Sequence, residues 1–161
     1  MTQRDDDDPL SLEQQLCFPL YAASNMLTRL YRPLLDELGL TYPQYLVLMA
    51  LWQTAPQSVG ELGRLLHLDS GTLTPLLKRM QQNDLVTRER DPDDERRVVI
   101  KLTQRAREMK TQAAAIPSRL ICAFSMPAEE IVTLRAQLQD FVTVLAQADP
   151  RQRDPANENS C

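Results

Sequence analysis

The sequence predicts a mainly α-helical chain that carries one small β-hairpin. Three observations lead there. Apolar residues recur at helical spacing over most of the 161 residues. Two short stretches instead read as strands around a polar loop, the second with every other residue apolar on one face. Ser, Thr and Pro stand where helices should begin. With 43% hydrophobic content, the length suits one domain, or one domain with extensions, and supplies a core.

Taken in order, Ser11 with Gln14 three residues on resembles a capping box and opens a helix predicted over residues 12–38. Gly39 supplies its stop. Pro19 falls inside this stretch, where it takes an amide out of the ladder and should kink the helix or delay its start. Pro43, two residues after Thr41, starts a second helix to about residue 54. Ser58 and Glu61 form another capping box, leading a short helix with Leu62, Leu65 and Leu66 inward. A tight Leu68-Asp69-Ser70-Gly71 connection follows. Leu73, Leu76, Leu77 and Met80 then stand at i, i+3, i+4 and i+7, the spacing of one buried stripe, and Pro75 is expected near that helix's first turn.

Residues 85–90 and 98–102 read as two strands, the second with Val98, Ile100 and Leu102 on one face. The loop between them is polar throughout. Thr103 can cap a helix to about residue 116, where Pro117 interrupts. A final helix over residues 127–148 carries Ile131, Leu134, Leu138, Phe141, Val142 and Leu145. Residues 1–10, with Asp5 to Asp8, and residues 149–161 read as disordered polar tails.

Several function classes fall away. The longest apolar run, residues 45–52, is eight long, whereas a membrane span needs about 20. The acidic opening is unlike a secretory segment, so a soluble, cytoplasmic protein without membrane attachment is expected. Three cysteines, at 17, 122 and 161, are too scattered for a disulfide framework and suit a redox switch better. One histidine, His67, makes no multi-histidine zinc site and reads as a buried structural residue. The glycines at 39, 60, 63 and 71 form no phosphate loop, and acidic pairs such as Asp36-Glu37 read as solvated faces. No catalytic constellation, metal or cofactor is called for. The net charge is -4, but residues 64–107 hold ten bases against seven acids. Local charge decides what a face can bind.

Helix, helix, turn, helix and hairpin make a winged helix-turn-helix. The second helix of such a pair enters the DNA major groove by its N-terminal end. Opposite the Leu73 stripe lie Thr72, Thr74, Pro75, Lys78 and Arg79, with Ser70 at the helix start. Small hydroxyl residues allow close approach, and the two bases make binding salt-dependent. In the loop, Arg96 and Arg97 could enter the minor groove, with Asp94 bracing the Arg96 guanidinium. The bland alternatives are an exposed helix face and a surface ion pair.

The run Asp69-Ser70-Gly71-Thr72-Leu73-Thr74-Pro75-Leu76-Leu77-Lys78-Arg79-Met80, with Asp94-Glu95-Arg96, resembles the MarR family of dimeric bacterial repressors. Leu16-Cys17-Phe18-Pro19-Leu20-Tyr21-Ala22-Ala23-Ser24 and Leu40-Thr41-Tyr42-Pro43-Gln44-Tyr45 narrow this to its OhrR branch, the organic-hydroperoxide sensors. The resemblance spans residues 12–146. It implies that Cys17 is oxidised by an organic hydroperoxide, that Tyr31 and Tyr42 hydrogen-bond to it, and that Cys122 resolves it as an intersubunit disulfide. Residues 14 apart on one straight helix are about 21 Å apart, so Tyr31 must serve the Cys17 of a second copy. Tyr21 is one turn from Cys17 and shares its face. Pro19 is expected to leave the Cys17 segment pliable enough to move towards Cys122, while Cys161 is expected to oxidise adventitiously or do nothing.

The implied protein is a homodimeric repressor of double-stranded operator DNA, induced by an organic hydroperoxide that derepresses a peroxide-detoxifying gene. Residues 11–42 and 103–148 would form dimerisation helices from both ends, around a winged region at 43–102. Two rivals are a MarR repressor induced non-covalently by an apolar or phenolic ligand, and a thiol peroxidase.

Overall fold

The computed structural model describes residues 10–94 and 96–148, and the two expected tails, with Cys161, lie outside them apart from Leu10. The elements are α1 (Cys17–Asp36), α2 (Tyr42–Gln53), β1 (Gln57–Ser58), α3 (Val59–Leu66), α4 (Ser70–Gln82), β2 (Val86–Arg90), β3 (Val98–Leu102), α5 (Gln104–Ala113), α6 (Ile116–Ile121) and α7 (Ala128–Ala148). Described residues up to Ile121 form one compact unit, and those from Cys122 on form a second.

In the first unit, apolar residues of α1 to α6 and the sheet build one core around Tyr45, Leu48, Leu62, Leu73, Leu77, Met80 and Ile100, all fully buried. Side chains of this size stabilise by roughly 1.5–3 kcal/mol each when buried. Trp52 Nε1 donates to the Ala106 carbonyl at 2.8 Å and fastens α2 to α5. Of α1 only Leu35 is buried, with Tyr31 and Leu34, and Leu38 just past its end, packed half-buried against the core. The sheet is antiparallel in the order β1-β3-β2, with Val86 opposite Leu102 and Gln57 opposite Ile100. The two-residue β1 is a strand the sequence did not announce.

The start of α1 differs from expectation. Leu12–Gln14 form a single 3₁₀ turn, and the α-helix begins only at Cys17. Pro19 thus delays the start rather than kinking the helix. It sits in the first turn, where helical amides have no partner in any case. The proline inside α1 is Pro33. Likewise Pro117 opens α6 rather than merely ending α5.

Three helix ends share one device. After α1 the Leu40 amide bonds the Leu35 carbonyl (3.0 Å) and the Gly39 amide that of Asp36 (3.1 Å), with Gly39 at φ +65. This is a Schellman motif, which needs a left-handed residue. After α3 the same pair of bonds runs Leu68 to Gly63 and His67 to Arg64, and after α4 it runs Leu85 to Met80 and Asp84 to Gln81. His67 (φ 52) and Asp84 (φ 53) take the glycine's place there. His67 is therefore an exposed helix cap, not a buried residue. Gly63 is needed for space, since a Cβ there would lie 2.9 Å from the Leu68 carbonyl oxygen.

Leu65 also departs from expectation. At 53% exposure it points outward, leaving Leu62 as the buried anchor of α3. In the second unit α7 has no buried residue.

Candidate DNA-facing surface and sensing cysteine

The helix α4 is set by its stripe and its cap. Leu73, Leu76, Leu77 and Met80 are buried, so Ser70, Thr72, Pro75, Lys78 and Arg79 are left exposed and Thr74 half-buried. Asp69 caps the helix. Its Oδ1 accepts the Thr72 amide at 2.8 Å, and its Oδ2 accepts the Thr72 hydroxyl at 3.2 Å. Those bonds, the amide's first, hold the Asp69 carboxyl below its ordinary range. Pro75 is the sixth residue of α4, one turn deeper than expected. It has no amide for the Gly71 carbonyl four residues back. An open groove of about 620 Å³ beside α4 is lined by Thr41, Pro43, Gln44, Thr72, Leu76, Arg79, Gln82 and Asn83.

Thr41, Pro43 and Gln44 of that lining come from the start of α2, where Thr41 and Gln44 form a capping box. The wing is the connection between β2 and β3. Its base is closed by the Asp91 amide donating to the Arg97 carbonyl at 3.0 Å, and a Lys101–Glu89 pair at 2.6 Å links the strands. That pair pulls the Glu89 carboxyl down. Asp94 does not brace the Arg96 guanidinium as expected. Its Oδ1 accepts the Arg96 backbone amide at 3.0 Å, a local turn bond that an aspartate makes two residues along. The braced guanidinium is that of Arg97, 3.5 Å from Glu61 and 3.9 Å from Asp91. The sequence hid this because Glu61 lies 36 positions away.

At the other end of the chain, Cys17 is the first residue of α1 and is exposed, as is Cys122. Tyr21, at 68%, is also exposed. Tyr31 and Tyr42 are brought together, their ring centroids 4.8 Å apart, with Tyr45 at 5.9 Å from Tyr31. Burial, followed by the neighbouring Tyr42 and Tyr45, pushes the Tyr31 phenol up to about 12, and burial raises Tyr42 too. Both therefore keep their protons at neutral pH and stand as hydrogen-bond donors. Cys17 and Tyr31 sit towards opposite ends of the continuous α1, so one chain gathers the two phenols without the sulfur. Among the described residues no group of His, Cys, Asp and Glu is placed to hold a metal ion. No helix among them is long and apolar enough to cross a membrane.

Residues 29–113, more than half of the chain, match the family model of the transcriptional regulator SarA/Rot. The chain is 45% identical over 140 residues to the organic hydroperoxide resistance transcriptional regulator of Bacillus subtilis, covering 87% of this chain and 95% of that one. Among solved structures it resembles reduced AbfR bound to DNA (36% identity, TM-score 0.70, 83% of this chain and 94% of that one), a protein of Staphylococcus epidermidis. AbfR has also been solved overoxidised on DNA and with its disulfide formed. A mutant of MarR from E. coli complexed with operator DNA matches at 25% identity and a TM-score of 0.70, over 83% of this chain and 98% of that one. These relatives are transcriptional regulators rather than enzymes, which removes the thiol peroxidase reading. The chain belongs to the MarR family of winged helix-turn-helix transcriptional regulators, in its OhrR branch.

Proposed function

We propose that the chain is a redox-sensing repressor that leaves its operator when an organic hydroperoxide oxidises Cys17. The observation that carries this reading is the division of the site along α1: an exposed sulfur at its start, and two protonated phenols clustered where it meets α2. Two copies with antiparallel first helices complete two such sites. The apolar residues left exposed support that pairing, among them Leu16 just before α1, Met26 and Leu30 within it, and Leu134, Leu138 and Val142 in α7. Residues 11–42 and 103–148 serve as dimerisation helices around the winged region at 43–102.

The chemistry runs in two steps. The Cys17 thiolate attacks the peroxide oxygen, giving a sulfenic acid and the corresponding alcohol. The Cys122 thiol of the second copy then displaces water and forms the disulfide. In the reduced dimer, two α4 helices about 34 Å apart enter successive major grooves, with Ser70, Thr72, Thr74, Pro75, Lys78 and Arg79 towards the duplex and Arg96 in the minor groove. The disulfide draws the winged regions out of that spacing. A hundredfold loss of affinity needs only about 2.7 kcal/mol between states. The AbfR structures suit the disulfide as the releasing step, since the overoxidised form of that protein was solved on DNA.

A second reading, non-covalent induction by an apolar or phenolic ligand, is favoured by a cleft of about 390 Å³ lined by Thr28, Arg32, Leu35, Leu40, Tyr42 and Pro43. One experiment separates the two. Cys17→Ser should hold DNA as tightly as the parent and stay bound after an organic hydroperoxide is added, read by DNA mobility shift. Release of DNA by that variant under peroxide would refute the redox mechanism.

A further inference from the structure

Arg97 stands in the wing, among residues the sequence offers to DNA, but its guanidinium is turned towards protein. Its Nη2 lies 3.5 Å from Glu61 Oε1 and its Nε 3.9 Å from Asp91 Oδ2. Glu61 is the third residue of α3, and its other oxygen is already committed to the Ser58 amide (2.6 Å) and hydroxyl (2.7 Å). Ser58 in turn pairs with Val99 through β1 and β3. The Arg97 backbone closes the loop as well, its amide donating to the Asp94 carbonyl at 2.8 Å. Wing root, β1 and the start of α3 thus meet at one carboxylate. The Arg96 side chain is exposed, and Asp94 engages only its backbone.

We propose that Arg97 is a positioning residue, fixing the wing against the helix-turn-helix through Glu61, and that Arg96 is the wing arginine presented to DNA. This rests on the DNA-binding reading above. A planar guanidinium can face two carboxylates at once, as here, whereas a lysine ammonium is a single point charge. A cation that neutralises a phosphate releases counterions and steepens the salt dependence of binding, and one held by Glu61 does not.

The test uses the full-length protein and a duplex that the parent itself enriches from a random-sequence pool, with affinity measured at several salt concentrations. Arg97→Ala and Glu61→Gln should each weaken binding about three- to tenfold, because each dimer carries two such exposed pairs of modest strength. The double variant should be no weaker than the worse single one, and the salt slope should stay at the parental value. Arg97→Lys should resemble Arg97→Ala, and Arg96→Ala should flatten the slope. The proposal is overturned if Arg97→Ala flattens the slope while Glu61→Gln tightens binding, if Arg97→Lys binds like the parent, or if neither single variant changes affinity. A parent protein that enriches no duplex fails the DNA-binding reading instead.

Discussion

Two amphipathic helices of this chain, α4 and α7, meet opposite fates. Leu73, Leu77 and Met80 of α4 are completely buried, whereas Leu134, Leu138, Val142 and Leu145 of α7 remain 40–50% exposed. Both stripes obey the same helical spacing. The difference lies in what the chain supplies to cover them: α4 packs on α2, α3 and β2, while α7 buries nothing. The winged core around α4 is thus closed by the chain's own elements, whereas α7, like Met26 and Leu30 of α1, keeps apolar side chains exposed. Under the proposed dimer, a second copy would cover that helical end.

Truncation should expose that contrast most sharply. Leu77→Ala should destabilise the fold by about 2–5 kcal/mol at any protein concentration. Leu138→Ala should leave unfolding of dilute protein within about 0.5 kcal/mol of the parent and weaken association instead. Denaturant unfolding over a concentration series reads both effects, and equal, concentration-independent losses would erase the distinction.

A smaller effect is expected where α3 ends. His67 is exposed and holds a left-handed conformation with a side chain attached, so His67→Gly should raise stability by about 1 kcal/mol, seen as a higher urea midpoint.

A further effect, confined to strongly alkaline conditions, is a pH dependence. The folded state keeps the Tyr31 proton to about 12, against 10.0 for an ordinary phenol, so between those values it binds more protons than the unfolded chain. The stability contributed is full below pH 10 and declines as the pH climbs towards 12. Tyr31→Phe should flatten that decline in unfolding midpoints taken across the window.

What could be read from the sequence follows from the range of the forces involved. The α4 stripe and the Ser58–Glu61 capping box are local patterns, complete within a turn or two, and the structure contains both. Residues 98–102 form the strand expected of them, and β2 begins one residue later than expected. Features that depend on distant partners were not legible. Leu65 satisfies helical periodicity but stays 53% exposed, and the strand β1 exists only because β3 pairs with it. The turns at His67 and Asp84 carry no glycine to announce them. In the site, Asp94 was expected to reach a guanidinium nearby in sequence, whereas its oxygen takes the nearer amide and Glu61 takes the neighbouring arginine. The Tyr31–Tyr42 cluster was legible only through the family resemblance, since the two rings come together by the turn at Gly39.

The placement of Cys17 and Tyr31 towards the two ends of a twenty-residue rod has a quantitative side. Under the proposed chemistry a lone protomer carries both halves of a detector and can join neither. Dilution would then silence peroxide detection before it unfolds anything, which ties the responsiveness of the system to how much of the protein the cell keeps in stock.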